Sequence, residues 1–129
     1  MTGKITVGTI QDTGGNTVAS TYVTSGVAKA YQHHDEDLTT MHKSLNLSSS
    51  TDNATGDFTA NFTSSWSDAR YMYSFGVDDN DFNDPSAYGI KGLTWATSSH
   101  RTRTFYANEA GKGFFDQDMA CIIWYGDLA

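Results

Sequence analysis

Short runs in which large apolar side chains alternate with small polar ones constrain the fold of this chain more than any other feature. Residues 58–63 and 71–77 place an aromatic or aliphatic side chain at nearly every second position. Residues 5–9 and 101–107 alternate in a similar way. A period of two is the repeat of a β-strand with one face in the core. The pattern therefore predicts several short, half-buried strands.

The composition and the segments between these runs agree with an all-β fold. Thr, Ser and Gly number 17, 13 and 12 of the 129 residues, and aromatic residues make up 13%. Thr and the aromatics suit a pleated surface, whereas Gly, Asn, Asp and Ser suit turns. Turn-forming clusters at residues 12–16, 52–57 and 108–111 separate the runs. The residues predict one antiparallel domain over 1–129, either a sandwich or a barrel.

Two segments depart from simple alternation. Residues 119–125 are apolar at both odd and even positions, which predicts a central strand buried on both faces. Cys121 lies inside this run and is expected to be a small buried side chain. Residues 35–45 admit a short helix, with Leu38, Met41 and Leu45 at helical spacing, although Thr and Ser within the segment disfavour it. Both strand and helix remain open for this segment.

Charge and cysteine content exclude several classes of protein. The chain has 8 Lys and Arg against 15 Asp and Glu, a net charge of −7, so nucleic acid is not expected as a partner. No apolar run approaches the roughly 20 residues of a membrane-spanning helix. The first residues lack the apolar core of a secretory signal. The single Cys cannot form an internal disulfide, and no Cys/His cluster has zinc spacing.

Five segments, in the same order along the chain, resemble the C-terminal tip domains of tailed-phage tail fibres, of the type common in marine and cyanobacterial phages. They are residues 23–31 (VTSGVAKAY), 44–49 (SLNLSS), 52–62 (DNATGDFTANF), 69–71 (ARY) and 122–126 (IIWYG). Each segment alone would be a weak signal, but five in register cover most of the chain. The first 22 residues of the chain match the tip domains only loosely, and we interpret them as an N-terminal strand or collar segment.

The resemblance implies a fold and a function. The fold would be an antiparallel β-sandwich of jelly-roll type, assembled as a homotrimer at the distal tip of a virion tail fibre. The domain would recognise a host surface glycan or outer-membrane component during adsorption and would contact other tail-fibre or virion proteins. The family implies no catalytic residues and no cofactor, so we expect a protein that is not an enzyme. The alternative is a structural virion protein, a fibre cap or decoration, that touches no receptor.

The chain departs from the family pattern at residues 78–88, and this acidic segment is the predicted receptor-binding loop. Its carboxylates and amides could bond sugar hydroxyls, and exposed aromatic rings could stack on sugar rings. A calcium loop is an alternative, but Asp84 stands where that motif needs Gly and Ile90 where it needs Glu. We therefore predict a solvated loop and no metal site. The candidate receptor-binding residues are Asp78, Asp79, Asp81, Phe82, Asn83, Tyr88 and Trp95.

The aromatic residues among these candidates also have a purely structural interpretation. Trp66, Tyr73, Phe82, Tyr88 and Trp95 all lie in or beside polar segments, which is typical of contact residues at a binding surface. Each of them could instead fill the core of the sandwich or the interface of a trimer. The histidines are expected at the surface, although one His per chain could meet its symmetry mates on a trimer axis.

Overall fold

The structure is a computed structural model that describes residues 7–35, 41–78, 87–108, 111–116 and 119–129. The candidate residues Asp79, Asp81, Phe82 and Asn83 lie outside these ranges. The described part of the chain is built almost entirely from antiparallel strands, so the predicted all-β class is confirmed. The arrangement of its sheets is consistent with a β-sandwich.

The elements are numbered in chain order. They are β1 (Thr9–Gln11), β2 (Thr17–Ala19), α1 (Ser20–Gly26), β3 (Ala30–Asp35), β4 (Met41–Leu45), β5 (Leu47–Ala54), β6 (Asp57–Phe62), β7 (Met72–Asp78), β8 (Ala87–Trp95), β9 (Ser99–Asn108), β10 (Gly111–Phe114) and β11 (Met119–Tyr125).

Two sheets form the body of the described structure. The first sheet has the order β4-β3-β11-β7. In the second, β9 is flanked by β8 on one side and by β6 and β10 on the other, and β5 lies beyond β6. Strand β9 can hold two neighbours on one side because it is long: its first half pairs with β6 and its last residues with β10. Strands β1 and β2 form a separate hairpin.

The core lies between the facing sides of the two sheets and is unusually aromatic. Phe62 stands edge-on to Trp66, Tyr71 and Trp124, at ring-centroid distances of 5.4, 5.9 and 5.4 Å. All four side chains are buried, and burying one such side chain stabilises the fold by roughly 1.5–3 kcal/mol. Several polar side chains share this interior: Gln32, His34, His100, Thr102 and Thr104.

The predicted central position of strand β11 is confirmed, but its predicted burial on both faces is not. It covers the predicted residues and lies between β3 and β7, so it is a central strand. Only alternate side chains are fully buried, however: Ala120, Ile122 and Trp124 face the core. Ile123 and its neighbours on the other face are only half-buried, because the described structure puts no further layer over that face. The prediction of burial on both faces is therefore wrong for the single chain.

Three of the remaining strand predictions are confirmed, whereas the strand predicted over residues 5–9 is absent at residues 7 and 8, and β1 begins at Thr9. Strands occur at the predicted positions in β6, β7 and β9. The helical alternative for residues 35–45 is wrong, since β3 extends to Asp35 and β4 begins at Met41. The short helix α1 has no side-chain cap and was not predicted from the sequence. Within the described ranges no helix is long and apolar enough to cross a membrane.

Candidate functional site

An exposed aromatic cluster lies at the open edge of the sandwich, where β7 of the first sheet approaches β8 of the second. Tyr73 and Phe75 come from β7, and Trp95 is the last residue of β8. The ring of Tyr73 lies 6.3 Å from that of Phe75 and 6.2 Å from that of Trp95. Phe75 is 45% exposed and Trp95 is 41% exposed, so two of the three rings present a large apolar surface to solvent.

A buried histidine lies directly beneath this cluster. The ring of His100 is 5.0 Å from that of Trp95 and 4.9 Å from that of Tyr73, and the side chain is fully buried. Its Nδ1 accepts a hydrogen bond of 2.7 Å from the Trp124 indole N–H, which places the proton of the neutral ring on Nε2. Burial lowers the pKa of His100 to about 4, so the ring is uncharged near neutral pH.

A glycine shapes the cluster. A Cβ atom at Gly92 would lie 2.5 Å from ring atoms of Trp95 and 2.9 Å from His100 Nε2, so no larger residue fits without movement. The missing side chain lets the indole of Trp95 fold back over its own strand and cover His100. The backbone N–H of Gly92 also donates a 2.9 Å hydrogen bond to the Tyr73 hydroxyl, which ties β8 to β7.

The chemistry available at the aromatic cluster is recognition by stacking. Aromatic faces that are partly exposed and held by packing can bind the apolar face of a sugar ring. The Tyr73 hydroxyl accepts its hydrogen bond from Gly92, and this bond does not use the hydroxyl's own proton. The cluster thus combines rigid apolar faces with a polar group at their margin.

The structure does not bring the described candidate residues into one site. Asp78 ends β7 and pairs with Met119 in β11. Tyr88 and Trp95 lie near opposite ends of β8, seven residues and roughly 23 Å apart along the strand. Tyr88 packs against Phe115 at 5.2 Å, away from the aromatic cluster. Of the three predicted receptor-binding residues that the structure describes, Asp78, Tyr88 and Trp95, only Trp95 belongs to the cluster.

Two residues that the sequence analysis missed, Phe75 in the aromatic cluster and His100 beneath it, follow from the strand and hairpin patterns of the sequence. Phe75 follows Tyr73 by two residues, and the period of two places both on one face of a strand. Trp95 and His100 face each other across a tight hairpin, in which the N–H of Ala96 donates to the Ser99 carbonyl oxygen. Trp66, which was also considered as a contact residue, is buried in the core, so its structural interpretation is the right one.

The described residues contain no group of three or more His, Cys, Asp or Glu side chains arranged to hold a metal ion. The rings of His33 and His42 lie 5.0 Å apart on neighbouring strands, but this pair is too few for such a group. The candidate calcium loop falls outside the described ranges except for Asp78.

Comparisons with known proteins identify no relative. No known protein family, curated protein or solved structure matches the chain. The resemblance to tail-fibre tip domains therefore stays a prediction, based on the five sequence segments alone.

Proposed function

We propose that this protein is a phage tail-fibre tip that recognises a receptor on the host cell surface and performs no catalysis. The observation that carries the proposal is the exposed aromatic cluster formed by Tyr73, Phe75 and Trp95. The all-β architecture and the sequence resemblance support the same assignment. The receptor is a glycan or another outer-membrane component, and the protein acts in the virion at the distal end of the fibre.

The aromatic cluster is well suited to binding because its parts are held in place before a ligand arrives. Tyr73 is fixed by its hydrogen bond from Gly92, and Trp95 is packed on His100. Side chains that are already ordered lose little conformational entropy on binding, so more of the contact energy contributes to affinity. Repetition of the site in an oligomer would raise the avidity further.

The outer face of the first sheet supports the proposed homotrimer. Met72 is 71% exposed there, and Leu45 and Met119 are also exposed. Ile123 and Tyr31 lie between them and are half-buried. An apolar face of this kind on a soluble chain marks a surface for association with another protein. We propose that other copies of the chain cover it.

The second candidate function is a structural virion protein without a receptor. The same apolar face favours it, because contact with another virion protein would bury that face as well as a second copy would. The two functions differ in the role of the aromatic cluster: a receptor-binding tip needs it exposed in the assembled particle, whereas a cap or decoration does not.

The test is binding of the purified, fluorescently labelled protein to a panel of marine and cyanobacterial cells. Trp95→Ala should reduce binding to a responsive strain at least about tenfold, equivalent to about 1.4 kcal/mol. Val18→Ala changes an exposed apolar residue on the separate β1–β2 hairpin and should leave binding unchanged. Equal binding by wild type and Trp95→Ala would exclude the aromatic cluster as the receptor site.

A further inference from the structure

The outer face of the second sheet is basic although the chain as a whole is acidic. Lys91, Arg101, Arg103 and Lys112 are four of the 8 basic residues of a chain with net charge −7. Lys91 lies opposite Arg103 in the β8–β9 register, and Lys112 lies opposite Ala107 in the β9–β10 register. Because alternate residues of β9 share a face, all four belong to the side that points away from the core.

One buried carboxylate on this face organises the two arginines. Asp57 accepts hydrogen bonds from Arg101 Nε at 2.7 Å and Nη2 at 2.8 Å, and from Arg103 Nε at 3.0 Å. These hydrogen bonds lower the pKa of Asp57 from the usual 3.8 to about 2, and the bonds from Arg101 have the largest effect. Asp57 thus forms ion pairs with both arginines.

The two lysines lie outside this pairing of Asp57 with the arginines. Among the described residues, the ion pairs of this face are those of Asp57 with Arg101 and Arg103, and no carboxylate is paired with Lys91 or Lys112. Lys91 and Lys112 are both exposed, so an anion in solution can reach them.

A groove of about 410 Å³ lies between the two lysines, and this size is within the range of roughly 300–1,000 Å³ found for small-molecule sites. Phe105 and Phe114 also line the groove. Phe114 is 55% exposed, and the Arg103 guanidinium lies 4.5 Å from the centre of its ring. A Cβ atom at Gly89 would come within 2.7 Å of Phe105 Cζ, so the glycine leaves room for the end of that ring over β8.

We infer that this groove, defined by Lys91, Lys112, Phe105 and Phe114, binds an acidic saccharide, a sugar that carries carboxylate, sulfate or phosphate groups. The lysines supply charge-assisted hydrogen bonds to the anionic groups, and the phenyl rings supply the stacking surface for the sugar ring. The inference rests on the proposed function, since it names the chemical class of the host glycan, but it places that contact on a second surface, distinct from the aromatic cluster.

The charge pattern favours a short acidic saccharide over a long polyanion such as nucleic acid. A long polyanion would extend beyond the groove over a chain whose net charge is −7, and that charge would repel it. A saccharide that fits the groove meets the two lysines and the two phenyl rings that line it, and does not extend over the acidic surface. An uncharged sugar, in contrast, would leave both ammonium groups without an anionic partner.

The experiment uses a trimer of α-1,4-linked galacturonic acid as the probe, titrated calorimetrically into the full chain. We expect binding that weakens as the NaCl concentration rises and that the fully methyl-esterified trimer, which lacks the negative charges, does not reproduce. Lys91→Gln combined with Lys112→Gln should weaken binding at least about tenfold, the effect of losing one or two charge-assisted bonds. An unchanged melting temperature shows that the variant is folded.

The matched control is Lys29→Gln combined with Lys43→Gln, which changes the net charge equally at lysines outside the groove. Binding by this control should equal that of wild type. An equal loss in both double variants would overturn the inference, because the effect would then come from net charge alone. Absence of galacturonate binding, equal binding of the esterified trimer, or tighter binding of a single-stranded oligonucleotide of the same charge would also overturn it.

The outcome is separable from that of the proposed function. A wild-type protein that binds cells but not the galacturonate trimer retains its function as a tip protein and loses the acidic-saccharide groove. A protein that binds the trimer through Lys91 and Lys112 but binds no cells retains the groove and loses the proposed function.

Discussion

Acidification from pH 7 to pH 5 should destabilise this protein, chiefly through His100. In the folded state its ring is buried and its pKa is lowered to about 4, whereas in the unfolded chain it is near the ordinary 6.5. Between these values the unfolded state binds a proton that the folded state does not, so stability is present above pH 6.5 and is lost as the pH falls toward 4. The rings packed around His100 are those of Tyr71, Tyr73, Trp95 and Trp124.

The magnitude follows from the two pKa values. Their separation corresponds to about 3 kcal/mol at the acid limit, of which about 2 kcal/mol is lost between pH 7 and pH 5. That loss is a large fraction of the roughly 5–15 kcal/mol that stabilises a typical domain. Burial also lowers the pKa of His34, which adds a loss of the same sign. Paired carboxylates such as Asp57 contribute only at lower pH.

The assay is urea denaturation at several pH values from 7 to 5. His100→Gln keeps a side-chain oxygen that can accept the Trp124 N–H bond but removes the titrating group, so its stability should fall less over this range, by about 2 kcal/mol, than that of wild type. His42→Gln, at an exposed position of β4, is the matched substitution and serves as the reference. A pH dependence in His100→Gln equal to that of the reference would refute a neutral, buried His100.

Three further substitutions test the sheet arrangement and the ion pairs of Asp57. Ile122→Asp should unfold the chain, because it buries an unpaired charge. Ile123→Asp, on the half-buried outer face, should leave a folded chain that does not form the proposed homotrimer. Circular dichroism and analytical ultracentrifugation distinguish the two outcomes. Asp57→Asn should lower the unfolding free energy by roughly 2 kcal/mol at pH 7, because Arg101 and Arg103 lose their anion. Denaturation at pH 7 and pH 2 should show this difference shrinking in acid, since Asp57, with a pKa of about 2, is progressively protonated in wild type.

The strands could be predicted where one face of a strand is polar. In β6 the alternation of large and small side chains reports which side faces the core, and Phe58, Ala60 and Phe62 are buried as expected. In β9 the same reasoning fails, because Thr102 and Thr104 are buried while Phe105 lies on the outer face. In β11 every residue is apolar, so the sequence pattern does not show which face of the strand points toward the core. The sequence alone therefore could not show that only Ala120, Ile122 and Trp124 are fully buried. The short helix α1 could not be predicted, because its sequence has neither a capping residue nor an apolar stripe.

The candidate site was harder to predict because it joins residues from both sheets. The exposed position of Trp95 beside polar residues was a usable local signal. Its contact with Tyr73 depends on how the edge of one sheet meets the edge of the other, and no local pattern encodes that distance. The groove around Lys91 and Lys112 likewise depends on the β8–β9–β10 register, in which residues 21 positions apart line one cavity.

The proposed recognition of a cell surface is tested most directly by competition with the phage whose tail fibre, under this proposal, ends in this protein. Host cells are incubated with an excess of the purified wild-type chain, phage is added, and the fraction of phage left unadsorbed is counted. A receptor-binding tip should occupy the receptors and leave most of the phage unadsorbed, and Trp95→Ala, with its part of the aromatic cluster removed, should compete much less. Adsorption that proceeds at the same rate with and without the folded wild-type protein would contradict the proposed function.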